Sequence, residues 1–576
     1  MRAFSQRPDG AFDSEQSSRS ASKGDQARVN FLENIFVSLE EAGATAVLEE
    51  IRDGRITSVS GLELLDLVAR ARGFLAGRKL SKGDRCALYA NNSVRWVALD
   101  LAAMAEGLIV VPLYARQAPA ELVAMMKDCS PVLICCEDRT LRAGLAQEWL
   151  AGPPQALFDE IFTTSAGAVA RPELRDHDPV TLIYTSGTSG EAKGVVLNAG
   201  NIAHMLACIN GRLDLLTAGK DERDRVFHYL PFVFAGSWML LMTSLLRGSL
   251  LAMNTDLSKI AQDMRTLAPD YFLNVPALLE RMRRAVDEQL WQAGGFVQAI
   301  YGRAKAAWTR RHDGISKPLD RVWLSLANLA IFPTIRKKMI GQNLRALICG
   351  SAPLSMETQL FFVMLGIPVL QSYGLTETTA ICTLDDPQNY EAGRVGPAIA
   401  GIEMKLAEND EIVVRGPNIF PGYWNRPEET ARALRDGWFH TGDQGEVDAS
   451  GNWRIVGRIK NLIILGSGHN IAPEPIEEKV LAQISGATQV VLVGNGRGYV
   501  SAIITGQVTA DQAQAAIDAV NPLLPHYKQI RAFHLRSDPF TIENGLLTAN
   551  GKLKRDSIAR EMCAEIEEMY SVKVAV

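Results

Sequence analysis

The chain has 576 residues, 60 Lys and Arg against 65 Asp and Glu, a net charge of −5, 47% hydrophobic residues and a mean hydropathy of +0.01. That length supports several domains with large cores, and that charge carries no nucleic-acid footprint. The eight cysteines include no Cys-x-x-Cys pair, which points to reduced, buried thiols of a cytoplasmic protein rather than a disulfide frame or a zinc site.

Residues 1–28 are polar and Ser-rich, lack the apolar stretch of a secretory signal, and are expected to be disordered. Residues 60–136 alternate helix-like and strand-like pieces. Leu62, Leu64, Leu65, Leu67 and Val68 read as one buried helical face, and Ser93 as the cap of a helix ending before Gly107. Strands are expected at Cys86–Tyr89, Leu108–Val111 and Val132–Cys135, with a helix over Ala118–Asp128. Val180–Tyr184 is a further apolar strand, and residues 226–374 repeat the rhythm with strands near Phe227–Leu230, Tyr271–Val275, Ala346–Cys349 and Val369–Ser372. This βαβ alternation predicts mainly parallel sheets covered by helices. From about Ile402 short strands take over, at Glu411–Arg415, Gly445–Asp448 and Asn452–Val456. Beyond Gly457-Arg458 a separate α+β module begins, with Lys460 at the boundary. No run of about 18 uncharged apolar residues occurs, so no membrane-crossing helix is expected.

Five segments carry the polar residues suited to chemistry. The strand Val180–Tyr184 runs into Thr185-Ser-Gly-Thr-Ser-Gly-Glu-Ala-Lys-Gly194, a loop of hydroxyls and glycines with one lysine, which suits polyphosphate. It is not a Walker A loop, because Lys193 is followed by Gly194 and a strand rather than by Ser or Thr opening a helix. Gly350-Ser-Ala-Pro353 and Gln371-Ser-Tyr-Gly-Leu-Thr-Glu-Thr378 each follow a strand, at the carboxyl ends where open α/β sheets bind ligands. Trp438-Phe-His-Thr-Gly-Asp443 with Gly457-Arg458, and Leu547-Thr-Ala-Asn-Gly-Lys552, complete the set.

Together, in this order and spacing, these segments resemble the adenylate-forming superfamily of acyl-CoA synthetases, peptide-synthetase adenylation domains and luciferases, over about residues 30–565. The resemblance implies an α/β fold: a large N-terminal domain (29–459) of two α/β sheet subdomains plus a small β-barrel-like subdomain (about 400–457), then a small mobile α+β domain (460–576). It implies ATP, Mg²⁺ and CoA as cofactors and co-substrates. Thr185, Ser186, Gly187, Thr188 and Lys193 would hold the β- and γ-phosphates, Thr376 would also bind the nucleotide, and Glu377 would bind the magnesium. Tyr373 would offer adenine an aromatic face opposite Gly350, Ser351 and Ala352, while Asp443 and Arg458 would meet the ribose. Lys552 would stabilise charge at the adenylation step. Lys460 would be the hinge about which the small domain turns to present Gly466, Ser467 and Gly468 to a pantetheine arm. Luciferase-like relatives carry a lysine where this chain has Ile464, which favours thioester formation.

The details are most similar to bacterial long-chain fatty acyl-CoA synthetases. Ser467-Gly-His-Asn-Ile-Ala-Pro473 resembles their glycine loop, with His469 in a lysine's place. Leu230-Pro-Phe-Val-Phe234 matches a segment that often ends in histidine, and Trp238 stands where some relatives gate a fatty-acid tunnel; core packing is the other reading of Trp238. Residues 281–340 are rich in Arg and Lys with interleaved Trp, Phe and Leu, as a basic amphipathic helix pair that lies on anionic lipid or as a solvated basic face. The expected function is an ATP-dependent fatty acid–CoA ligase, cytoplasmic and peripheral to the inner membrane face, with a carrier-protein-loading adenylating enzyme as the alternative.

Overall fold

The computed structural model describes residues 30–166, 171–186, 192–219, 222–292, 294–341, 343–548 and 551–571; the segment 1–28 lies outside the described residues. Two large sheets organise the first 400 residues. One has six strands in the order Gln155–Leu157, Leu133–Cys136, Arg85–Ala90, Ile109–Tyr114, Pro179–Ser186 and Ala192–Asn198, parallel except for the last pair. The other has eight: Thr383–Leu384, Val369–Tyr373, Ala346–Cys349, Tyr271–Asn274, Arg225–His228, Leu250–Asn254, Ala46–Arg52 and Arg55–Ser60, antiparallel only at its two ends. The hairpin 46–60 escaped the sequence reading. Its strand Ala46–Arg52 pairs in parallel with Leu250–Asn254, some 200 residues away, and no local signal encodes such a partner.

The helix Gly61–Gly77 starts at a capping box, with Ser60 and Glu63 satisfying each other's backbone N–H groups. Leu64 and Val68 are buried, Leu65 and Leu67 half-buried. Leu62 is 55% exposed, so its assignment to the buried face is corrected: two residues from Leu64, it points to the opposite side of the helix. Ser93 caps the helix Val94–Ala105 by accepting from Trp96 N at 3.1 Å. That helix is buried on every face, inside a core shared with both sheets and the helices Phe31–Ala42 and Ala235–Leu246.

The basic insertion contains four helices rather than a pair: Pro276–Gln292, Gly295–His312, Asp320–Ala330 and Phe332–Ile340. In the β-rich region, the short strands expected at 445–448 and 452–456 belong to the longer Trp438–Val447 and Trp453–Arg458. Trp438–Val447 pairs along its length with Glu411–Arg415, Leu434–Arg435 and Trp453–Arg458, with register shifts that bend the sheet. After the turn Ile459–Asn461, a three-stranded sheet (Ala487–Val493, Val500–Gly506, Ile530–Arg536) packs with the helices Glu474–Gln483 and Ala510–Val520 around a core of its own. No helix among the described residues is long and apolar enough to cross a membrane.

Candidate functional site

A cleft of about 480 Å³ opens where the carboxyl ends of the two sheets meet the β-rich region and the small domain. The strand Ala346–Cys349 delivers Gly350 and Ser351 to its wall, and Val369–Tyr373 delivers Ser372, Gly374, Thr376 and Glu377. Close packing explains the glycines. A Cβ on Gly350 would lie 2.6 Å from Ser372 Oγ, and one on Gly374 would lie 2.4 Å from the backbone at Ala380 and Ile381. Ala352, expected beside Gly350 and Ser351, is exposed outside the cleft wall.

Asp443 and Arg458 face each other because their strands pair in register at these two residues. Asp443 is buried; its carboxylate accepts from Arg458 Nε at 2.8 Å and from the Tyr373 hydroxyl at 2.7 Å. Burial and the neighbouring Asp443 carboxylate push the Tyr373 phenol well above its ordinary range, so it stays a donor. Thr441 orders this edge, donating to Ile412 O and accepting from Asp443 N.

Glu377 sits on the tight turn Thr376–Thr378, and its carboxylate accepts from the Tyr423 hydroxyl at 2.8 Å. The Lys193 ammonium lies 5.3 Å from the centre of the Tyr423 ring. Tyr423 was missed in the sequence; its signal is the Phe420-Pro-Gly-Tyr-Trp424 turn, which bridges Val195 of the strand carrying Lys193. Thr185 lines the cleft and pairs with Lys193 across the hairpin. Ser186 ends the strand Pro179–Ser186, and Gly187 and Thr188 lie outside the described residues.

The small domain contributes two lysines. Lys460, in the interdomain turn, is brought down to about 8 by burial first, then by the Arg458 and Lys193 charges, with Asp443 and Glu377 pulling the other way. Lys552 closes a turn in which Thr548 Oγ1 accepts from Lys552 N at 3.1 Å. Its ammonium is lowered from its ordinary value by desolvation and by Arg458, against the upward pull of Asp443 and Glu377. Four cations, Lys193, Arg458, Lys460 and Lys552, thus share one electrostatic site with two carboxylates, a balance that favours a polyanionic ligand. A second contact anchors the lysine-bearing segment: Arg555 donates bidentately to Glu477 at 2.7 and 2.6 Å, and Glu477 also accepts from Leu492 N.

The opposite end of the cleft is apolar, lined by Ile209, Leu213, Met239, Leu240, Leu273 and Ile348. Phe234 lines it at the start of the helix Ala235–Leu246, its ring 6.1 Å from that of Tyr114. Trp238 does not, which corrects its reading as a tunnel gate. It is 2% exposed and donates from Nε1 to Asp100 at 2.8 Å, on the side of the helix turned into the core. Gly466, Ser467 and Gly468 are exposed and stand outside the cleft that holds Lys552, so the small domain presents one face and leaves the other in solvent. His469 stacks on Tyr527 at 4.3 Å.

Among the described residues no three His, Cys, Asp or Glu side chains cluster as a metal cage. Glu377 alone fits a magnesium ion whose remaining ligands are phosphate oxygens and water, the usual binding mode of that ion.

A family model described as AMP-binding enzyme matches residues 39–424, and one described as AMP-binding enzyme C-terminal domain matches residues 460–573. The chain is 27% identical to long-chain-fatty-acid–CoA ligase FadD15 of Mycobacterium bovis, over 91% of this chain and 94% of that protein. It is 26% identical to long chain acyl-CoA synthetase 3 of Arabidopsis thaliana, over 85% and 84%. Its fold is shared with O-succinylbenzoate coenzyme A synthetase (MenE) from Bacillus subtilis in complex with AMP, at a TM-score of 0.71 and 21% identity, over 92% of this chain and 98% of that one.

Proposed function

We propose that this chain, which belongs to the AMP-binding enzyme family, is an AMP-forming fatty acid–CoA ligase that works through an acyl-adenylate. The observation that carries the reading is the convergence of Lys193, Arg458, Lys460 and Lys552 on Glu377 and Asp443, next to an apolar pocket, in a chain whose full-length relatives bear fatty acid–CoA ligase names.

In the first half-reaction a carboxylate oxygen of the acid attacks the α-phosphorus of ATP, and pyrophosphate leaves. The apolar end of the cleft takes the hydrocarbon chain and leaves the carboxylate at the polar end, held for in-line attack. Gly350 and Gly374 keep the wall flat for the base, and Asp443, held in place by its pair with Arg458, accepts from the ribose hydroxyls. Thr185, Ser186, Gly187, Thr188, Thr376 and Lys193 hold the phosphates, and Lys552 meets the charge that builds on the α-phosphoryl and carboxylate oxygens. Glu377 would hold a magnesium ion, which would supply positive charge for the leaving pyrophosphate. In the second half-reaction the CoA thiol attacks the acyl carbon and AMP leaves. Rotation about Lys460 brings Gly466, Ser467 and Gly468 to the cleft in place of Lys552, and their small size admits the pantetheine arm. Nucleotide-dependent chemistry and unpaired cysteines agree with a cytoplasmic protein.

The test is product identity. Incubation with ATP, Mg²⁺, CoA and a panel of fatty acids is expected to yield AMP, pyrophosphate and acyl-CoA. Release of ADP and orthophosphate would end the proposal, and pyrophosphate exchange with thioester formed only on a carrier protein would replace CoA by that acceptor.

A further inference from the structure

The helical insertion carries a feature that the cleft chemistry does not use. The helix Asp320–Ala330 buries Asp320, Leu324 and Ala327, with Ile331 next to them. On the opposite side Leu319 (65% exposed), Val322, Leu326 and Leu329 (83%) form a stripe open to solvent. Their spacing of three, four and three residues puts them on one face, about 15 Å long at 1.5 Å per residue. The preceding helix Gly295–His312 runs antiparallel to this one, since Arg310 pairs with Asp320 and Arg303 lies over the ring of Trp323 at 4.7 Å. Phe296, 80% exposed, is therefore level with Leu329 along the helix pair, and Ile315 in the connecting loop is 65% exposed.

Charge decides what such a patch meets. Residues 281–340 hold twelve Lys and Arg against four Asp and Glu, a surplus of eight positive charges inside a chain of net charge −5. Arg303, Arg311, Lys317, Arg321, Lys337 and Lys338 are all exposed. An apolar stripe flanked by cations and lying on a surface helix matches the boundary of an anionic bilayer, where apolar side chains enter the acyl region and basic ones meet headgroups. A wholly polar acidic partner would satisfy the cations and leave the Leu and Val side chains without apolar contacts. A second copy would set two such positive surfaces against each other.

We infer that the face formed by Leu319, Val322, Leu326 and Leu329 is a docking surface for anionic lipid, which holds the enzyme where water-insoluble acids partition. The surface stands on its own geometry; only its purpose rests on the fatty-acid reading.

Sedimentation with vesicles tests binding without any turnover, so its failure and that of the proposed activity are separable. Full-length protein is expected to bind phosphatidylglycerol vesicles at least tenfold more tightly than phosphatidylcholine vesicles, and to release in high salt. The Leu326→Asp, Leu329→Asp double variant should lose at least tenfold in binding while keeping its circular dichroism and its activity on a short, soluble acid. Lys317→Glu with Arg321→Glu should weaken anionic binding and leave the weaker phosphatidylcholine binding unchanged. Equal sedimentation of wild type and the Asp variant, equal affinity for both lipids, or a dimer that the Asp variant dissolves would overturn the inference.

Discussion

Lys552→Ala isolates the adenylation step. The lysine lies on the small domain, yet its titration feels Arg458, Asp443 and Glu377 of the large one, so its ammonium reaches the charge centre of the cleft. Removing a donor aimed at developing charge costs about 3–4 kcal/mol, or about 10²–10³ in rate. The turn that holds it is closed by Thr548 and the residue 552 backbone, which alanine preserves, so stability should barely change. ATP–pyrophosphate exchange is expected to fall by that factor, whereas thioester formation from supplied acyl-adenylate and CoA should stay within a few-fold of wild type. The pH profile adds an independent reading. Because burial and Arg458 lower the ammonium below 10.5, the charged form that works in adenylation is lost as pH rises through a midpoint under that value. Lys552→Arg should keep part of the exchange rate and change this alkaline fall, leaving only the part that belongs to Lys460, since guanidinium stays protonated. Equal loss of both half-reactions in Lys552→Ala, or an alkaline limb unchanged in Lys552→Arg, would refute the assignment.

Glu477→Gln should lower adenylation without changing the site's own charges: it removes one of the two carboxylates that meet Arg555, leaving Glu474 at 3.6 Å, which costs about 1.5–3 kcal/mol, and the C-terminal domain should melt earlier in calorimetry. Gly350→Val should raise the KM for ATP at least tenfold with CoA binding unaffected, since its Cβ has no room beside Ser372. Trp238→Ala should destabilise by about 3–5 kcal/mol in urea and leave chain-length preference unchanged; a shifted preference at wild-type stability would restore the gate. Asp100, its partner, is raised from 3.8 to about 7 by burial. The native state therefore binds its proton more tightly than the unfolded chain does. Asp100 favours the fold below its unfolded value, and that advantage is lost as pH rises from about 4 to 7, by at most ~4 kcal/mol. Asp100→Asn should flatten this part of the stability profile, and an unchanged urea midpoint slope across that range would contradict the buried, single-partner picture.

Much of the site was legible because its residues lie in short contiguous segments at strand ends. Gly350 and Ser351 follow Ala346–Cys349, Thr376 and Glu377 follow Val369–Tyr373, and Asp443 and Arg458 need only two adjacent antiparallel strands to meet. Tyr423 was not legible as a partner of Glu377, because the turn carrying it reaches the cleft by bridging a strand more than 200 residues earlier. The two readings of Trp238, gate and core packing, stayed open for a related reason. Its spacing from Phe234 is helical, and which face of that helix meets the cleft depends on Asp100 in a different helix.

By itself the sequence determined the class of the fold, the order of its elements and the residue types of the chemistry, because hydrophobic period, caps and loop composition act over a few residues. Tertiary structure decided how those local pieces combine: the hairpin 46–60 joining the far edge of the second sheet, the four helices of the insertion with one apolar face left in solvent, and the face the small domain turns toward the cleft. The physical reason is range. Desolvation and charge act through space between residues hundreds of positions apart, so Lys460 and Lys552 acquire lowered proton affinities only where the fold buries them beside Arg458, against the opposing pull of Asp443 and Glu377.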